Sequence, residues 1–187
     1  MRTELENRIE TVTGTVLPDD VRIVGIEGTD IIRSEVIEAC VREFLPATIS
    51  SGRWQEDPAS GIRQDLLSSV DWSLSMVAVR GDAVVGCYLL SRPGDVNAAA
   101  AELSGTGVEG LALVVLKSHR GFGIGRALRA VPEAMGFDYV VGTHLKTLGN
   151  LDHWLRRRHL IGEEDDMWIT AEVFNGPLPV SSPQPAP

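Results

Sequence analysis

A short apolar run that leads into a glycine-rich turn constrains the fold of this chain more than any other feature. Leu111–Leu116 contains no polar residue, Gly121, Gly123 and Gly125 follow it, and an apolar helical pattern begins directly afterwards. A run of this length that ends at a turn is typical of a strand buried on both faces. The chain therefore places a central strand, a tight turn and a helix in succession.

The whole pattern predicts an α/β fold in the order β, α, α, β, β, β, α, β, α, β, with antiparallel hairpins and at least one parallel crossover. The predicted strands are Val21–Gly25, Ser73–Val79, Val84–Leu90, Val108–Leu116, Tyr139–Leu145 and Met167–Phe174. The predicted helices begin at Asp30, Asp57, Gly123 and Asn150. Pro46 is expected to stop the first of them, and Pro132 to kink or end the third.

The length of 187 residues predicts one domain. Residues 1–20 are expected to be a weakly structured lead-in, residues 21–174 the domain, and the Pro- and Ser-rich residues 175–187 a disordered tail. Met1–Glu10 has no apolar core and no apolar run is long enough to cross a bilayer, so we expect a cytoplasmic protein without a secretory signal.

The formal net charge of −9 argues against nucleic-acid and membrane partners, because the field of the chain repels phosphates. It favours a cationic or neutral substrate, although solubility alone explains it equally simply. Cys40 and Cys87 lie in apolar segments and are expected to pack as small hydrophobic residues. The four histidines lack metal-ligand spacing, so no metal is expected.

The glycine turn predicts a phosphate site, because glycines expose backbone N–H groups at the start of a helix, and Arg120 and Arg126 add positive charge. A Walker loop is excluded because Gly125 is followed by Arg126 and not by Lys. A Rossmann fingerprint is excluded as well, because the position of its third glycine holds Arg126 when the motif starts at Gly121 and Leu128 when it starts at Gly123.

The segment Arg120-x-x-Gly123-x-Gly125 resembles the Gln/Arg-x-x-Gly-x-Gly/Ala signature of the GNAT superfamily of N-acetyltransferases. The strand end Leu113-Val114-Val115 is similar to the fourth strand of that family, and Asn150 resembles its Asn at the start of the next helix. The pattern covers about residues 21–174, with motifs only in 109–160. It implies a GNAT-like mixed sheet of about six to seven strands flanked by helices, with a CoA wedge between the fourth and fifth strands.

The resemblance implies acetyl-CoA as co-substrate. Its pyrophosphate would contact the turn, made of Gly121, Phe122, Gly123, Ile124, Gly125 and Arg126, together with Arg120. Its pantetheine arm would pair with the strand edge at Val114, Val115 and Leu116, and the amide of Val115 or Leu116 would hold the thioester oxygen. Asn150 has two alternatives of equal weight, a cofactor contact or a helix N-cap.

Glu109 is the expected general base, because its even offset of six residues from Val115 puts both side chains on one face of a regular strand. An ordinary strand glutamate is the alternative. We expect the family's tyrosine acid to have no counterpart here, since the tyrosines of the chain are Tyr88 and Tyr139 and both lie in predicted strands. His153 is the first substitute and His144 the second, each with a surface histidine as the alternative.

Trp54 has two interpretations: it forms a wall of the acceptor pocket, or it is a partly buried side chain that anchors a polar loop. Arg156–Arg158 is expected to form a solvated helix face, with binding of the 3′-phosphate of CoA or of an acidic partner as the alternatives. The resemblance implies direct attack of a primary amine, small molecule or protein, on acetyl-CoA, with a homodimer as one option. The rival hypothesis is a non-catalytic acyl-CoA-binding or regulatory module; a toxin acting on aminoacyl-tRNA is disfavoured by the charge.

Overall fold

A mixed β-sheet forms the centre of the computed structural model, which describes residues 2–26, 30–51, 56–94, 98–145, 158–164 and 167–179. The strands of the described residues are β1 Val21–Gly25, β2 Met76–Arg80, β3 Ala83–Ser91, β4 Gly107–Val115, β5 Tyr139–Leu145, β6 His159–Glu164 and β7 Met167–Val173. They lie in the order β1-β2-β3-β4-β5-β7-β6. Every neighbouring pair is antiparallel except β4 and β5, which confirms the predicted mixed sheet with one parallel crossover.

Helices cover both faces of the sheet. Those of the described residues are α1 Glu4–Thr13, α2 Asp30–Ser51, α3 Pro58–Ser69, α4 Ala98–Ala101, α5 Ile124–Arg129 and α6 Val131–Ala134. Side chains of α1, α5 and α6 form one core with the sheet, and side chains of α2 and α3 form a second core on the opposite face. We call these the α5 face and the α2 face.

The first helix corrects the expectation of a weakly structured lead-in. Thr3 caps α1 through a capping box with Glu6, and Ile9 is 1% exposed in the core of the α5 face. The Glu6 carboxylate also accepts hydrogen bonds from Arg22 Nε, at 2.7 Å, and from the backbone N–H of Ile23, at 3.1 Å. Residues before β1 are therefore an integral part of the fold.

The two helix prolines behave differently. Pro46 lies inside α2, which continues to Ser51, so the prediction that it stops this helix is wrong. Pro132 confirms its prediction, because the helical segment after the glycine turn breaks at Ala130 and resumes as α6 with Pro132 in its first turn. A proline at the start of a helix lacks an N–H that the helix does not need, whereas Pro46 is tolerated at the cost of one backbone hydrogen bond.

The C-terminal part of the chain holds two further differences. His159 begins a strand, β6, that the sequence pattern did not predict, while most of the expected helix Asn150–His159 lies outside the described residues. The first residues of the expected tail are ordered, since Leu178 packs on the core beside α4 and the Pro179 carbonyl accepts from Ser104 N at 2.7 Å. Residues 180–187 lie outside the described part.

Cys40 of α2 and Cys87 of β3 pack as predicted. Both are fully buried in the core of the α2 face, with 3.6 Å between their sulfur atoms, and both are free thiols. The hydrogen bond with Cys87 and burial raise the pKa of the Cys40 thiol well above its ordinary value. Cys40 is therefore not a nucleophile at neutral pH.

Candidate functional site

The cleft that defines the site begins where β4 and β5 separate. Their parallel pairing ends at Gly110 and Gly142. Beyond this fork, within the part of the chain that the structure describes, β4 pairs only with β3, and β5 only with β7. The gap holds a cavity of about 910 Å³. Its walls come from both faces of the sheet, with Thr13 and Arg129 on the α5 face and Phe44 on the α2 face.

The free edge of β4 presents alternate backbone groups to this cleft. The amide of Leu116 donates to the Val85 carbonyl at 2.9 Å, so it points toward β3. Because backbone groups alternate along an antiparallel pair, Val114 also points toward β3, and Leu113 and Val115 point into the cleft. Of the two amides expected to hold an acyl oxygen, Leu116 is therefore excluded and Val115 faces the right side.

The glycine turn lies at the open end of the cleft. Gly121 and Gly123 have φ values of +87° and +80°, which other residues rarely adopt, and Gly123 is the N-cap of α5. Gly123 also allows close packing, since a Cβ there would lie 2.6 Å from Thr15 Cγ2. Gly125 lines the cleft, and a Cβ there would lie 3.4 Å from Val115 Cγ2. The glycines of the turn are therefore required by close packing as well as by backbone conformation.

The two arginines of the turn have different environments. Arg120 donates to the Val115 carbonyl at 2.9 Å and forms an ion pair with Glu43 of α2, which ties the turn to the opposite face. Arg126 is exposed, lines the cleft and forms no ion pair among the described residues. Arg126 is thus the more available cation for an anionic ligand. Phe122, also of the turn, is 52% exposed.

Two polar side chains occupy the space that the fork glycines leave open. A Cβ on Gly110 would lie 2.6 Å from the hydroxyl oxygen of Tyr88, and a Cβ on Gly142 would lie 3.1 Å from Nη1 of Arg158. Tyr88 and Arg158 are 5% and 9% exposed. Their closeness at the closed end of the cleft explains why the fork residues are glycines.

A charged network supports this closed end. Arg158 Nη2 lies 3.0 Å from the Glu172 carboxylate, which also accepts from Arg129 at 2.8 Å. Arg158 Nη1 contacts Thr170 Oγ1 at 3.3 Å, and that hydroxyl lies 3.0 Å from Nε2 of His144. Hydrogen bonds and ion pairs thus link Arg129, His144, Arg158, Thr170 and Glu172 to one another at the closed end of the cleft.

The network also sets protonation states. Burial raises the pKa of Tyr88 to about 12, so its hydroxyl remains a donor. Burial, with added repulsion from Arg158 and Arg129, lowers the pKa of His144 to about 4, so its ring is neutral at neutral pH. Burial and the nearby Glu172 raise the pKa of Glu133, another residue that lines the cleft.

Glu109 does not share a face with Val115, and that prediction is wrong. Leu89 and Leu90 of β3 pair with Ala112 and Gly110, which leaves an extra residue in β4 as a bulge. Val108 and Val115 consequently both reach the core of the α5 face although their positions differ by seven, an odd offset that would put them on opposite faces of a regular strand. Glu109 points to the opposite face, is 2% exposed and accepts from Gly94 N at 2.7 Å.

Three further predicted site residues, Trp54, Asn150 and His153, lie outside the described residues. Sequence reasoning did not select Tyr88, Glu172 or Glu133, and it weighed Arg158 only as part of an arginine run. The available signal was the pair of glycines Gly110 and Gly142 within two apolar strands, which marks a close approach to the backbone.

Among the described residues, no group of histidine, cysteine and carboxylate side chains is arranged to hold a metal ion. The described helices include none that is both long and apolar enough to span a membrane.

The chain shares its fold with solved structures that are described as GNAT family acetyltransferases. A GNAT family acetyltransferase from Streptococcus agalactiae 2603 is 14% identical with a TM-score of 0.57, over 86% of this chain and 100% of that one. A second, from Elizabethkingia anophelis with acetyl-CoA bound, is 15% identical with a TM-score of 0.50, over 84% and 100% of the two chains.

A third structure, N-acetylglutamate synthase from Neisseria gonorrhoeae complexed with coenzyme A and N-acetyl-glutamate, is 15% identical with a TM-score of 0.52. It matches 83% of this chain and 35% of its own. No protein-family model matches the chain, and no curated protein matches it. The family resemblance seen in the sequence is therefore confirmed at the level of the fold.

Proposed function

We propose that the protein transfers the acetyl group of acetyl-CoA to a primary amine by direct attack. One observation carries the proposal: the unpaired edge of β4 runs along a cleft of about 910 Å³ from the glycine turn to the fork. A free strand edge binds an extended, amide-containing arm as an added strand would, and the turn binds phosphate. Two of the solved structures with this fold contain acetyl-CoA or CoA.

The placement of the cofactor follows from the free groups of the cleft. The pyrophosphate lies at the turn beside Arg126, and the pantetheine arm pairs with the edge at Val115. The amide of Leu113, two residues closer to the fork, holds the thioester oxygen. This revises the expectation of Val115 or Leu116, because the Leu116 amide donates to the Val85 carbonyl and the Val115 amide pairs with the pantetheine arm.

The reaction needs a neutral amine and a stabilised oxyanion. The amine nitrogen attacks the thioester carbon, the carbonyl oxygen becomes an oxyanion at the Leu113 amide, and collapse breaks the C–S bond to release CoA. Of the described groups that line the cleft, Glu133 has a raised pKa and no arginine partner, which suits a proton acceptor. Glu133 therefore replaces Glu109 as the proposed base.

The acceptor is proposed to be cationic, either a small molecule or a protein amine. The formal net charge of −9 attracts a protonated amine toward the protein, while Arg126 serves the opposite charge of the cofactor. A cationic acceptor and an anionic cofactor are thus both guided, each by a different part of the molecule.

The first experiment measures CoA binding by calorimetry to the wild type, to Arg126→Glu and to a matched charge reversal, Arg63→Glu. Arg63 lies on α3 and pairs with Glu38 at 2.6 Å, away from the cleft. We expect Arg126→Glu to weaken CoA at least tenfold, about 1.4 kcal/mol, and Arg63→Glu to have little effect. Equal CoA affinities of the two variants, or no CoA binding by the wild type, would contradict the assignment of the CoA site to this cleft.

The second experiment screens amines with acetyl-CoA and follows release of free thiol. Release that requires a primary amine supports the transferase. A non-catalytic acyl-CoA-binding module is the second candidate function, and the position of Glu109 outside the cleft favours it. That alternative predicts tight CoA binding with no thiol release from any amine in the panel.

A further inference from the structure

This inference rests on the proposed function and concerns the acyl group. With the thioester oxygen at Leu113, the acyl chain extends toward the fork at Gly110. Leu113 is three positions after Gly110, but Leu111 lies in the bulge, so the strand advances by only about two residue steps, roughly 7 Å. The acyl group therefore ends near whatever closes the fork.

Tyr88 closes it. Its side chain lies on β3 and crosses behind β4, so that its hydroxyl occupies the space beside Gly110, 2.6 Å from an ideal Cβ position. The ring packs in the core of the α5 face, and the hydroxyl contacts the Arg158 guanidinium, which is itself held by Glu172. Neither side chain has room to move aside without breaking this packing.

We propose that Tyr88 limits the acyl donor to acetyl-CoA. Atoms in contact need about 4 Å between centres, so of the roughly 7 Å between Leu113 and the fork only about 3 Å remains for the acyl chain. That space takes a carbonyl and a methyl group. Two more methylenes would meet the Tyr88 hydroxyl and the buried Arg158.

The first test uses the wild type alone. Calorimetry compares CoA, acetyl-CoA and butyryl-CoA, and we expect butyryl-CoA to bind at least tenfold more weakly than acetyl-CoA, since one surplus methylene in a closed pocket is worth about 10–200-fold. Equal affinity of the two thioesters would overturn the proposal. Loss of binding of CoA itself would instead contradict the proposed function, so the two failures are distinguishable.

The second test changes the residue. Tyr88→Leu removes the outer half of the ring and is expected to raise the ratio of kcat/KM for butyryl-CoA over acetyl-CoA at least tenfold. Tyr88→Phe removes the hydroxyl alone and is expected to raise that ratio by a smaller factor, between those of the wild type and Tyr88→Leu. An unchanged ratio in a Tyr88→Leu variant that still binds CoA would overturn the proposal. A wild type that prefers succinyl-CoA to acetyl-CoA would also do so, because Arg158 would then bind a carboxylate.

Discussion

Two glutamates, Glu109 and Glu133, illustrate how much a single side chain depends on one backbone irregularity. Counting residues along a regular strand puts Glu109 on the face of Val115, but the bulge in β4 reverses that relation. Glu133 belongs to no sequence motif and reaches the cleft only because α6 follows the break at Ala130. A bulge cannot be read from a pattern of period two, so this part of the site was not predictable.

We expect Glu133→Gln to lower kcat by about 10²–10⁴-fold, the range typical of a positioned general base, and to leave acetyl-CoA binding intact. The matched variant Glu109→Gln should instead keep kcat and lower thermal stability, because the carboxylate that accepts from Gly94 N is buried. Both are measured by steady-state kinetics and thermal melts. Reversed outcomes would return the role of base to Glu109.

His144 makes a prediction about pH and stability. Its pKa is lowered from 6.5 to about 4 by burial and by the nearby arginines. Between these two pH values the unfolded chain therefore binds a proton at His144 more readily than the folded chain does. Stability should therefore fall as pH decreases from about 6.5 to about 4. The melting temperature of His144→Asn should depend less on pH over this range. A dependence identical to that of the wild type would contradict the assigned environment.

At the scale of elements, local signals predicted much of the fold. Asp57 before Pro58 marked the start of α3, and Arg80-Gly81-Asp82 marked the β2–β3 hairpin. The failures arose where packing outweighs local preference. Ile9 packs α1 against the core, and α2 continues past Pro46 to a buried residue, Thr48, which is 5% exposed. Such long-range terms are invisible in a single stretch of sequence.

The contact between α1 and β1 leads to a prediction about stability. Burial alone would raise the pKa of Glu6, but hydrogen bonds from Arg22, Thr3 and Ile23 outweigh it and hold the pKa below its ordinary value. Glu6→Gln should lower the free energy of unfolding by about 1–3 kcal/mol. Glu4→Gln, an exposed control whose partner is Arg8, should change it by less than about 1 kcal/mol.

Chemical denaturation at several pH values measures both variants. Because the folded pKa of Glu6 is depressed, its contribution is present above the unfolded pKa and is lost as the solution becomes more acidic. The difference between wild type and Glu6→Gln should therefore shrink in acid. A constant difference would show that the carboxylate does not link α1 to β1.

At the scale of the whole molecule, the sign of the charge differs between the chain as a whole and the cleft. The chain carries a formal net charge of −9, while three arginines, Arg126, Arg129 and Arg158, line the cleft. Composition predicted the first fact, and the glycine turn predicted Arg126. The positions of the other two depend on how β5, β7 and α5 meet, which composition does not encode.

The charge predicts a dependence on ionic strength. For a cationic acceptor, kcat/KM should fall as salt rises, and it should fall more steeply for a diamine than for a monoamine of similar size, because screening weakens attraction in proportion to charge. Initial rates at low and high salt measure this. A flat profile for both amines, or a best acceptor that is anionic, would contradict a cationic substrate.

The cleft is lined from both faces of the sheet, by Thr13 on one side and Phe44 on the other. A cofactor that enters past the turn and an acceptor that enters past α2 need not wait for each other. The kinetic order should then be random, and each product can depart by the route its precursor used. Free CoA would compete with acetyl-CoA alone, and the acetylated amine with the amine alone.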